Sequence, residues 1–469
     1  MRNDDDAELT WYEKKRGLTA SKKKRINENK IRGQKLALKE TRTSKENSGG
    51  EKKSGPHSSM PRRNDTVRGA GYGHPRGIAV SSHGSLFDIN SLPKECAEIL
   101  DEFQSIVFSA YPLGSKQIAK LPHHIKELSH LLTDERGERR LGYMNRTETL
   151  SAYVHYFMWW NLVRLTRLFA NIEEDFFSIP EDSICLDIGS GPLTVPIALF
   201  LSRPDLRRKK LTWYCMDISQ QALSAGENIF LSVAAKLQCE PWKIIRIKGS
   251  LGIPVRQKAA FVTCANMFNE AIDEAGVPPD FLAKKHLEKI LTYTEKNTRL
   301  LIIEPGVPKS ARFLSLMRDA MLRKRFTPCS PCPHTGACPM SGERGKKWCN
   351  YAFSTEDAPE TLRKLSEKSG LPKERAVLSF IAAKTAASPE KNSQGAKSGG
   401  SSGTLTFRIA SDPIALPKQR TGYYACSEQG LLLVVTHENL FSGQCCSLTL
   451  PHRPLSTDQK SGALILELD

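Results

Sequence analysis

Two sets of residues in this chain have types and spacings that suit chemistry. The first set is four cysteines that fall within 21 residues of sequence: Cys329, Cys332, Cys338 and Cys349. The second is the glycine turn Gly189-Ser-Gly191, which follows a short apolar segment. Clustered thiolates bind metals, and a glycine turn after a strand binds nucleotide cofactors because the backbone can approach the ligand closely. Together they predict a nucleotide-cofactor domain joined to a metal-bearing module.

The cysteine group does not have the paired spacing of a structural zinc ribbon. Its spacing is C-x2-C-x5-C-x10-C, whereas a ribbon has two C-x2-C knuckles. Prolines follow Cys332 and Cys338, and cysteine–proline turns are typical of iron–sulfur ligand runs. Because thiolates suit both zinc and iron–sulfur clusters, the residues alone leave the metal open.

The glycine turn lies in a segment that alternates strands with helices. Helices are predicted over 193–201 and 222–237. Strands are predicted over 183–188, 212–217, 244–247, 259–265 and 299–304. This alternation predicts an α/β fold with a parallel, doubly wound sheet. In such sheets the ligand lies beyond the carboxyl ends of the strands, beside the first strand.

Four residues at those strand ends are the predicted cofactor site: Asp187, Gly189, Gly191 and Asp217. Asp217 ends the second strand, where a carboxylate accepts hydrogen bonds from ribose hydroxyls. Asp187 precedes the first glycine and suits a cationic ligand better than a pyrophosphate. The arrangement resembles the first motif of class I S-adenosylmethionine-dependent methyltransferases. The resemblance implies that the glycines flank the methionine part of S-adenosylmethionine, Asp187 helps to hold the site and Asp217 binds the ribose.

Two neighbouring features favour a protein that is not a catalyst. Leu193 stands where many such loops have another glycine, and we expect it to crowd the methionine end. Asn266-Met-Phe follows the fourth strand in place of the N/D-P-P-Y/F motif that binds an amide. No catalytic residue is assigned from the sequence.

Several short motifs after the fifth strand resemble a known family. They are Glu304-Pro-Gly306, Cys332-Pro-His334, Cys338-Pro339 and Trp348-Cys349. Over residues 143–435 the chain resembles the mitochondrial small-ribosomal-subunit methyltransferase-like proteins and their bacterial relatives. The resemblance implies binding to small-subunit rRNA during ribosome assembly, and a four-iron four-sulfur (4Fe-4S) cluster. The implied cluster ligands are Cys332, Cys338, Cys349 and, from a later strand, Cys426. Cys329 is an extra thiol, which leaves the fourth ligand open between Cys329 and Cys426.

Composition divides the remainder of the chain. The formal charge is +17, and residues 1–70 carry 19 Lys and Arg against 10 Asp and Glu. Such a basic, weakly apolar segment is predicted to be disordered and to attract RNA by releasing counterions from phosphates; a tail that only improves solubility is the alternative. The predicted organisation is a disordered basic arm (1–75), a helical region (76–170), the class I methyltransferase-like domain (171–310), a cysteine or iron–sulfur module (311–385), a linker (386–403) and a small β module (404–469).

Two further predictions concern side chains on helices. The aromatic residues of the helix predicted over 150–169 are expected to be core: Tyr153, Tyr156, Phe157, Trp159 and Trp160. The basic segments 203–210, 318–325 and 346–347 are expected to support RNA binding.

The N-terminus and the hydropathy pattern indicate where the protein acts. No run approaches the roughly 18–20 apolar residues that span a bilayer, and the start Met1-Arg-Asn-Asp-Asp-Asp is typical of neither a secretory signal nor a mitochondrial transit peptide. We expect a cytoplasmic monomer with no membrane partner. The predicted function is an S-adenosylmethionine-dependent, methyltransferase-like protein that binds the small ribosomal subunit. The alternative is a catalytically inactive RNA-binding assembly factor with a structural iron–sulfur or zinc site.

Overall fold

The computed structural model describes residues 80–133, 142–268, 276–386, 403–450 and 454–468. All of them belong to one compact unit. The predicted basic arm (1–75) and nearly all of the linker lie outside the described residues. Within the described ranges, no helix is long and apolar enough to cross a membrane.

The described residues form ten α-helices and fifteen strands. The helices are α1 (Lys94–Ala110), α2 (Ser115–Thr133), α3 (Thr147–Ala152), α4 (Met158–Asn171), α5 (Thr194–Ser202), α6 (Pro204–Arg207), α7 (Gln220–Lys236), α8 (Pro279–Leu291), α9 (Pro308–Arg323) and α10 (Glu360–Lys368). The strands are β1 (Ser81–Ser82), β2 (Ile184–Ile188), β3 (Thr212–Asp217), β4 (Lys243–Lys248), β5 (Ala259–Ala265), β6 (Thr294–Pro305), β7 (Phe326–Ser330), β8 (Tyr351–Ser354), β9 (Arg375–Thr385), β10 (Thr404–Ile409), β11 (Ile414–Ala415), β12 (Thr421–Ser427), β13 (Gly430–Thr436), β14 (Cys445–Thr449) and β15 (Leu464–Glu467).

The main sheet confirms the predicted doubly wound α/β fold. Its strand order is β4-β3-β2-β5-β6-β9-β7, with β8 paired to β9. Strands β2 to β6 are mutually parallel, whereas β9 runs antiparallel to both β6 and β7. Because the order reverses on either side of β2, the carboxyl ends of β2, β3 and β5 open a crevice at that edge of the sheet.

The segment 311–385, predicted as a separate cysteine module, supplies part of this sheet. It contains α9, β7 and β9, and β9 lies between β6 and β7. The apolar run from Leu378 to Ala383 is buried and pairs with β6. Burial on both faces of the sheet explains why this run forms an inner strand. The cysteine-rich residues are therefore an excursion between β7 and β9.

The helical region packs on the sheet through one amphipathic and one apolar helix. In α1 the buried side chains Cys96, Ile99, Leu100 and Phe103 recur at helical spacing. Helix α4 is buried over most of its length and lies against α5 of the sheet domain. Between α3 and α4 the chain makes a π-helical turn over Tyr153–Phe157.

The predicted β module is a second sheet with the order β1-β14-β10-β12-β13-β15, with β11 paired to β12. Alternate residues of its strands, among them Leu405, Phe407 and Ile409, form its own core. Strand β1 comes from the start of the predicted helical region and pairs with β14 at the edge of this sheet.

Candidate functional site

The carboxyl ends of four neighbouring strands border a cavity of about 400 Å³. Gly189 and Gly191 follow β2, Asp217 ends β3, Asn266 follows β5 and Pro305 ends β6. Three of the four residues predicted as the cofactor site thus share one cavity wall, and the size is in the range of small-molecule sites.

The carboxylate of Asp217 orders the glycine turn. Its Oδ2 accepts the backbone N–H of Gly191 at 2.9 Å, and its Oδ1 accepts that of Ser219 at 2.8 Å. Burial raises the pKa of Asp217. Each carboxylate oxygen can accept further hydrogen bonds, so the group retains acceptor capacity for ligand hydroxyls on its cavity side.

Asp187 lies behind the turn rather than on the cavity wall. Its side chain is 1% exposed, and it accepts hydrogen bonds from the hydroxyls of Thr263 (2.6 Å) and Ser190 (2.7 Å). Burial raises the pKa of Asp187 to about 7. The geometry gives this residue the role of holding the loop, since it joins β2, the turn and β5.

The turn itself requires glycine. Gly189 has φ +71°, and a Cβ there would lie 2.9 Å from Cγ of Met267. Leu193 also has positive φ (58°), but its side chain is fully buried in the core and does not border the cavity. The expectation that Leu193 crowds the ligand is therefore wrong, because the left-handed backbone turns this side chain inward.

Two residues that the sequence analysis assigned to the core lie on the cavity wall. Tyr156, Trp159 and Trp160 are buried as predicted. Tyr153 and Phe157, however, are only partly buried and border the cavity, with their rings stacked at 6.0 Å between centroids. The π-helical turn places these two rings there, and such turns occur frequently at functional sites.

Two cations, Arg164 and Lys373, stand on the same wall and were not predicted. The Arg164 guanidinium donates to the carbonyl of Val377 (2.9 Å) and to Oδ1 of Asn161 (2.5 Å). Lys373 remains accessible to solvent, with its Nζ 5.1 Å from the ring centroid of Trp160. Desolvation by the wall, together with the charge of Arg164, lowers the pKa of Lys373 to about 8. Helix α4 contains two arginines, Arg164 and Arg167, and the sequence alone does not show which of them borders the cavity.

The four cysteines implied as cluster ligands lie at the segment between β7 and β8. Cys332, Cys338 and Cys349 border an apolar gap of about 30 Å³ between α9 and β9. Cys426, on β12, has its Sγ 3.1 Å from Nε2 of His334 in the same loop. Burial raises the pKa of Cys426, and the charges of the other three thiols raise it further. The β module thus brings the fourth thiol to the loop between β7 and β8 that carries Cys332 and Cys338, here called the cysteine loop.

Two arginines from different elements hold the cysteine loop. Arg318 of α9 is 2% exposed and donates to the carbonyls of His334 (2.9 Å) and Gly336 (2.8 Å). Arg408 of β10 donates to the carbonyls of Pro331 (2.7 Å) and Gly443 (2.7 Å). Burial raises the pKa of the Cys332 thiol, and the charge of Arg318 opposes that shift.

Cys329 is separate from this group. It lies on β7, where burial raises its pKa and the charged side chains that affect it are Lys384, Glu173 and Asp175 rather than the four thiols. Among the described residues, no group of three or more His, Cys, Asp or Glu side chains is arranged to hold a metal ion.

Several residues of the predicted RNA-binding segments have internal partners instead. Arg318 holds the cysteine loop, Arg203 pairs with Asp205, and Arg207 donates to Glu95 at 2.7 Å. Exposed basic residues remain at the end of α9, in the run 323–325. Arg203, Arg207 and Arg318 thus serve the fold, and RNA binding by these segments stays a prediction for their exposed basic side chains.

The strand order and the cavity define a class I methyltransferase-like protein. In this class a seventh strand, antiparallel to the rest, is inserted between the fifth and the sixth, as β9 is here. The predicted fold class is confirmed at this level.

Comparison with known proteins identifies the family. The model of the family described as mitochondrial small ribosomal subunit Rsm22 matches residues 151–429, which is more than half of the chain. The chain belongs to this family, and the predicted resemblance is confirmed. No curated protein matches the sequence.

Solved methyltransferase structures are similar to part of the chain. A protein described as a class I S-adenosylmethionine-dependent methyltransferase from Listeria monocytogenes is 12% identical, with a TM-score of 0.28, over 64% of this chain and 90% of that one. A methyltransferase from Aquifex aeolicus is 14% identical, with a TM-score of 0.25, over 45% and 87% of the two chains. At these TM-scores the likenesses carry no argument of their own, and the fold rests on the strand order.

Proposed function

We propose that this protein binds S-adenosylmethionine in the cavity beside the glycine turn and acts on the small ribosomal subunit through its rRNA. The observation that carries the proposal is the position of Asp217, whose carboxylate borders the cavity and already orders the backbone of Gly191. The family description, mitochondrial small ribosomal subunit, supports the choice of partner.

The cavity-lining residues fit this cofactor. Asp217 has acceptor capacity for the ribose hydroxyls, and Gly189 and Gly191 add no side chain of their own to the cavity wall. When bound, S-adenosylmethionine would supply a methyl group on a sulfonium. The chain binds and orients it, while Asp187 keeps the turn in place through Thr263 and Ser190.

The second candidate is an assembly factor that binds RNA without catalysis. The observation that favours it is the end of β5, where Asn266 leads into Met267 and Phe268 rather than into an amide-binding motif. In that case cofactor binding would stabilise the fold and methyl transfer would be absent.

Two measurements on the full chain test these proposals. Calorimetric titration with S-adenosylmethionine should give saturable binding, and absence of binding at millimolar ligand rejects the cofactor proposal. Incubation with tritiated S-adenosylmethionine and small-subunit rRNA then separates the candidates. Tritium transferred to rRNA supports the enzyme, whereas tight cofactor binding without transfer supports the assembly factor.

We also propose that Cys332, Cys338, Cys349 and Cys426 hold a 4Fe-4S cluster with a structural role. The support is the chemistry and placement of the donor set: Cys332, Cys338 and Cys349 border one gap, Cys426 contacts His334 of the same loop, and Arg318 and Arg408 hold that loop. A cluster spaces its thiolates more widely than a single zinc ion does, but thiolates bind both groups. A zinc site is the alternative, and an assay of bound metal decides between the two.

A matched pair of cysteine variants tests this set. Cys426→Ser should remove the iron and sulfide from anaerobically prepared protein, because it removes the thiol that β12 supplies. Cys329→Ser should retain both, because its neighbours are Lys384 and acidic residues. The reverse result would place the fourth ligand at Cys329, and a colourless protein with one bound zinc would reject the cluster.

Location and oligomeric state stay predictions. A cytoplasmic location is the prediction, whereas the family is described by the mitochondrial small ribosomal subunit. Imaging of the tagged full chain decides between the two compartments, and light scattering checks the predicted monomer.

A further inference from the structure

The cavity has an end that the proposed cofactor contacts leave unused. Asp217 lies on β3, whereas Lys373 precedes β9 by two residues and Arg164 donates to Val377 on β9. Four strand spacings separate β3 from β9, which is about 19 Å at the usual distance between strands. A ligand whose ribose is on Asp217 and whose methionine part lies over the glycine turn of β2 is therefore centred away from the β9 end of the cavity.

The two cations lack acidic partners. Neither Arg164 nor Lys373 forms an ion pair within the part of the chain that the structure describes. The Nε–H of Arg164 is buried there without an acceptor. The acidic side chain whose charge Arg164 senses, Glu304, is itself buried and accepts the backbone N–H of Phe268. Each of two like charges on one cavity wall disfavours the other, and an anion bound beside them relieves that repulsion.

Aromatic rings border the same cavity as the cations. Tyr153 and Phe157 belong to the π-helical turn and precede Arg164 by about three and about two turns of the continuing helix. Aromatic faces bind nucleobases of single-stranded RNA by stacking, and cations beside them bind the adjoining phosphate. A carboxylate-bearing ligand would need the cations but not the rings.

We propose that this end of the cavity is a nucleotide subsite, in which a base of an RNA strand lies against Tyr153 and Phe157 and its phosphate binds Lys373 and Arg164. The subsite deepens the proposed function, because it would hold one rRNA nucleotide beside the cofactor. Its chemistry is independent of cofactor binding, since it uses different residues and a different end of the cavity.

The test compares pyrimidine nucleotides with their nucleosides, which differ only in the phosphate. Full chain saturated with S-adenosylhomocysteine is titrated with uridine and cytidine 5′-monophosphate and with uridine and cytidine. Because these probes lack adenine, they do not mimic the cofactor. The variants are Lys373→Gln, Lys373→Arg as the charge-conserving change, and Lys368→Gln as the control on the exposed face of α10.

We expect wild type to bind at least one monophosphate about tenfold more tightly than its nucleoside at low salt. Lys373→Gln should abolish that preference, whereas Lys373→Arg and Lys368→Gln should retain it. Equal affinity for nucleotide and nucleoside in wild type, or an unchanged preference in Lys373→Gln, overturns the subsite.

The same variants separate this proposal from the cofactor proposal. If Lys373→Gln weakens S-adenosylhomocysteine binding and wild type shows no preference for monophosphate, the cations hold the cofactor carboxylate and the subsite is rejected. If wild type binds no S-adenosylhomocysteine but prefers monophosphate in a manner that depends on Lys373, the cofactor proposal fails and the subsite stands.

Discussion

Replacing Asp217 with asparagine tests the cofactor site most directly. Asparagine keeps the shape of the side chain, but its amide nitrogen donates where a carboxylate oxygen accepts. The carboxylate now accepts Gly191 N–H at 2.9 Å and Ser219 N–H at 2.8 Å. In Asp217→Asn one of these N–H groups faces another donor, and one ribose hydroxyl loses its charged acceptor.

The expected cost follows from the hydrogen bond to the charged acceptor. Such bonds contribute about 1.5–3 kcal/mol each, so the loss of one is about 2 kcal/mol, or about 30-fold in Kd. Calorimetric titration with S-adenosylhomocysteine measures this change, with far-ultraviolet circular dichroism to show that the variant is folded.

Asp187→Asn is the matched control because the residue lies behind the turn. The hydroxyls of Thr263 and Ser190 can donate or accept, so they satisfy an amide as well as a carboxylate. We expect its affinity to stay within about threefold of wild type. A folded Asp217→Asn protein that binds as tightly as Asp187→Asn would refute the assignment of the ribose to Asp217.

Three further predictions concern pH, packing and RNA. Burial raises the pKa of Asp187 to about 7. The stabilisation that this residue contributes is therefore fully present below about pH 4 and is lost as the pH rises through 7, by about 4 kcal/mol in all. Denaturant unfolding should show a smaller loss of unfolding free energy with pH in Asp187→Asn than in wild type, and parallel curves of unfolding free energy against pH would contradict this. Arg318→Met leaves the carbonyls of His334 and Gly336 without their donor and should lower the free energy of unfolding by about 2–4 kcal/mol. The control is Arg312→Met, on the same helix as Arg318, which removes a partly exposed ion pair with Glu343 and should lower the free energy of unfolding by under about 1 kcal/mol. Deleting residues 1–70, with 19 basic side chains, should reduce the slope of RNA affinity against salt, and an unchanged slope would make the arm a solubilising tail.

The sequence allowed the first half of the main sheet to be predicted. The segments 212–217 and 259–265 are mainly apolar runs, and they form β3 and β5 with those bounds. Strands β7 and β9 were missed because their neighbours in the sheet are far away in sequence or reversed in direction. Periodicity reports whether a run is apolar, but it does not report which strand lies next to it.

The cavity shows why a helical pattern can mislead. Tyr153, Tyr156, Phe157 and Trp160 fit one apolar stripe at 3.6 residues per turn, so the sequence predicted that all of them are core. The π-helical turn changes the winding over Tyr153–Phe157, and two of the rings then border the cavity. For Arg318 the error is the opposite one: the sequence predicted a side chain that supports RNA binding, but this side chain is buried. A run of basic residues does not reveal which of them faces inward.

The position of β9 and β12 late in the chain has a consequence for synthesis. As the polypeptide emerges from the ribosome, β2 to β6 can pair in order, but β7 has its sheet neighbour only once β9 has been made. The cavity is then complete, while the thiol group still lacks Cys426 until β12 follows. A chain that stops between β9 and β12 would carry an intact cavity beside three thiols without their fourth neighbour. Completion of the thiol group therefore depends on synthesis of the β module, whereas completion of the cavity does not.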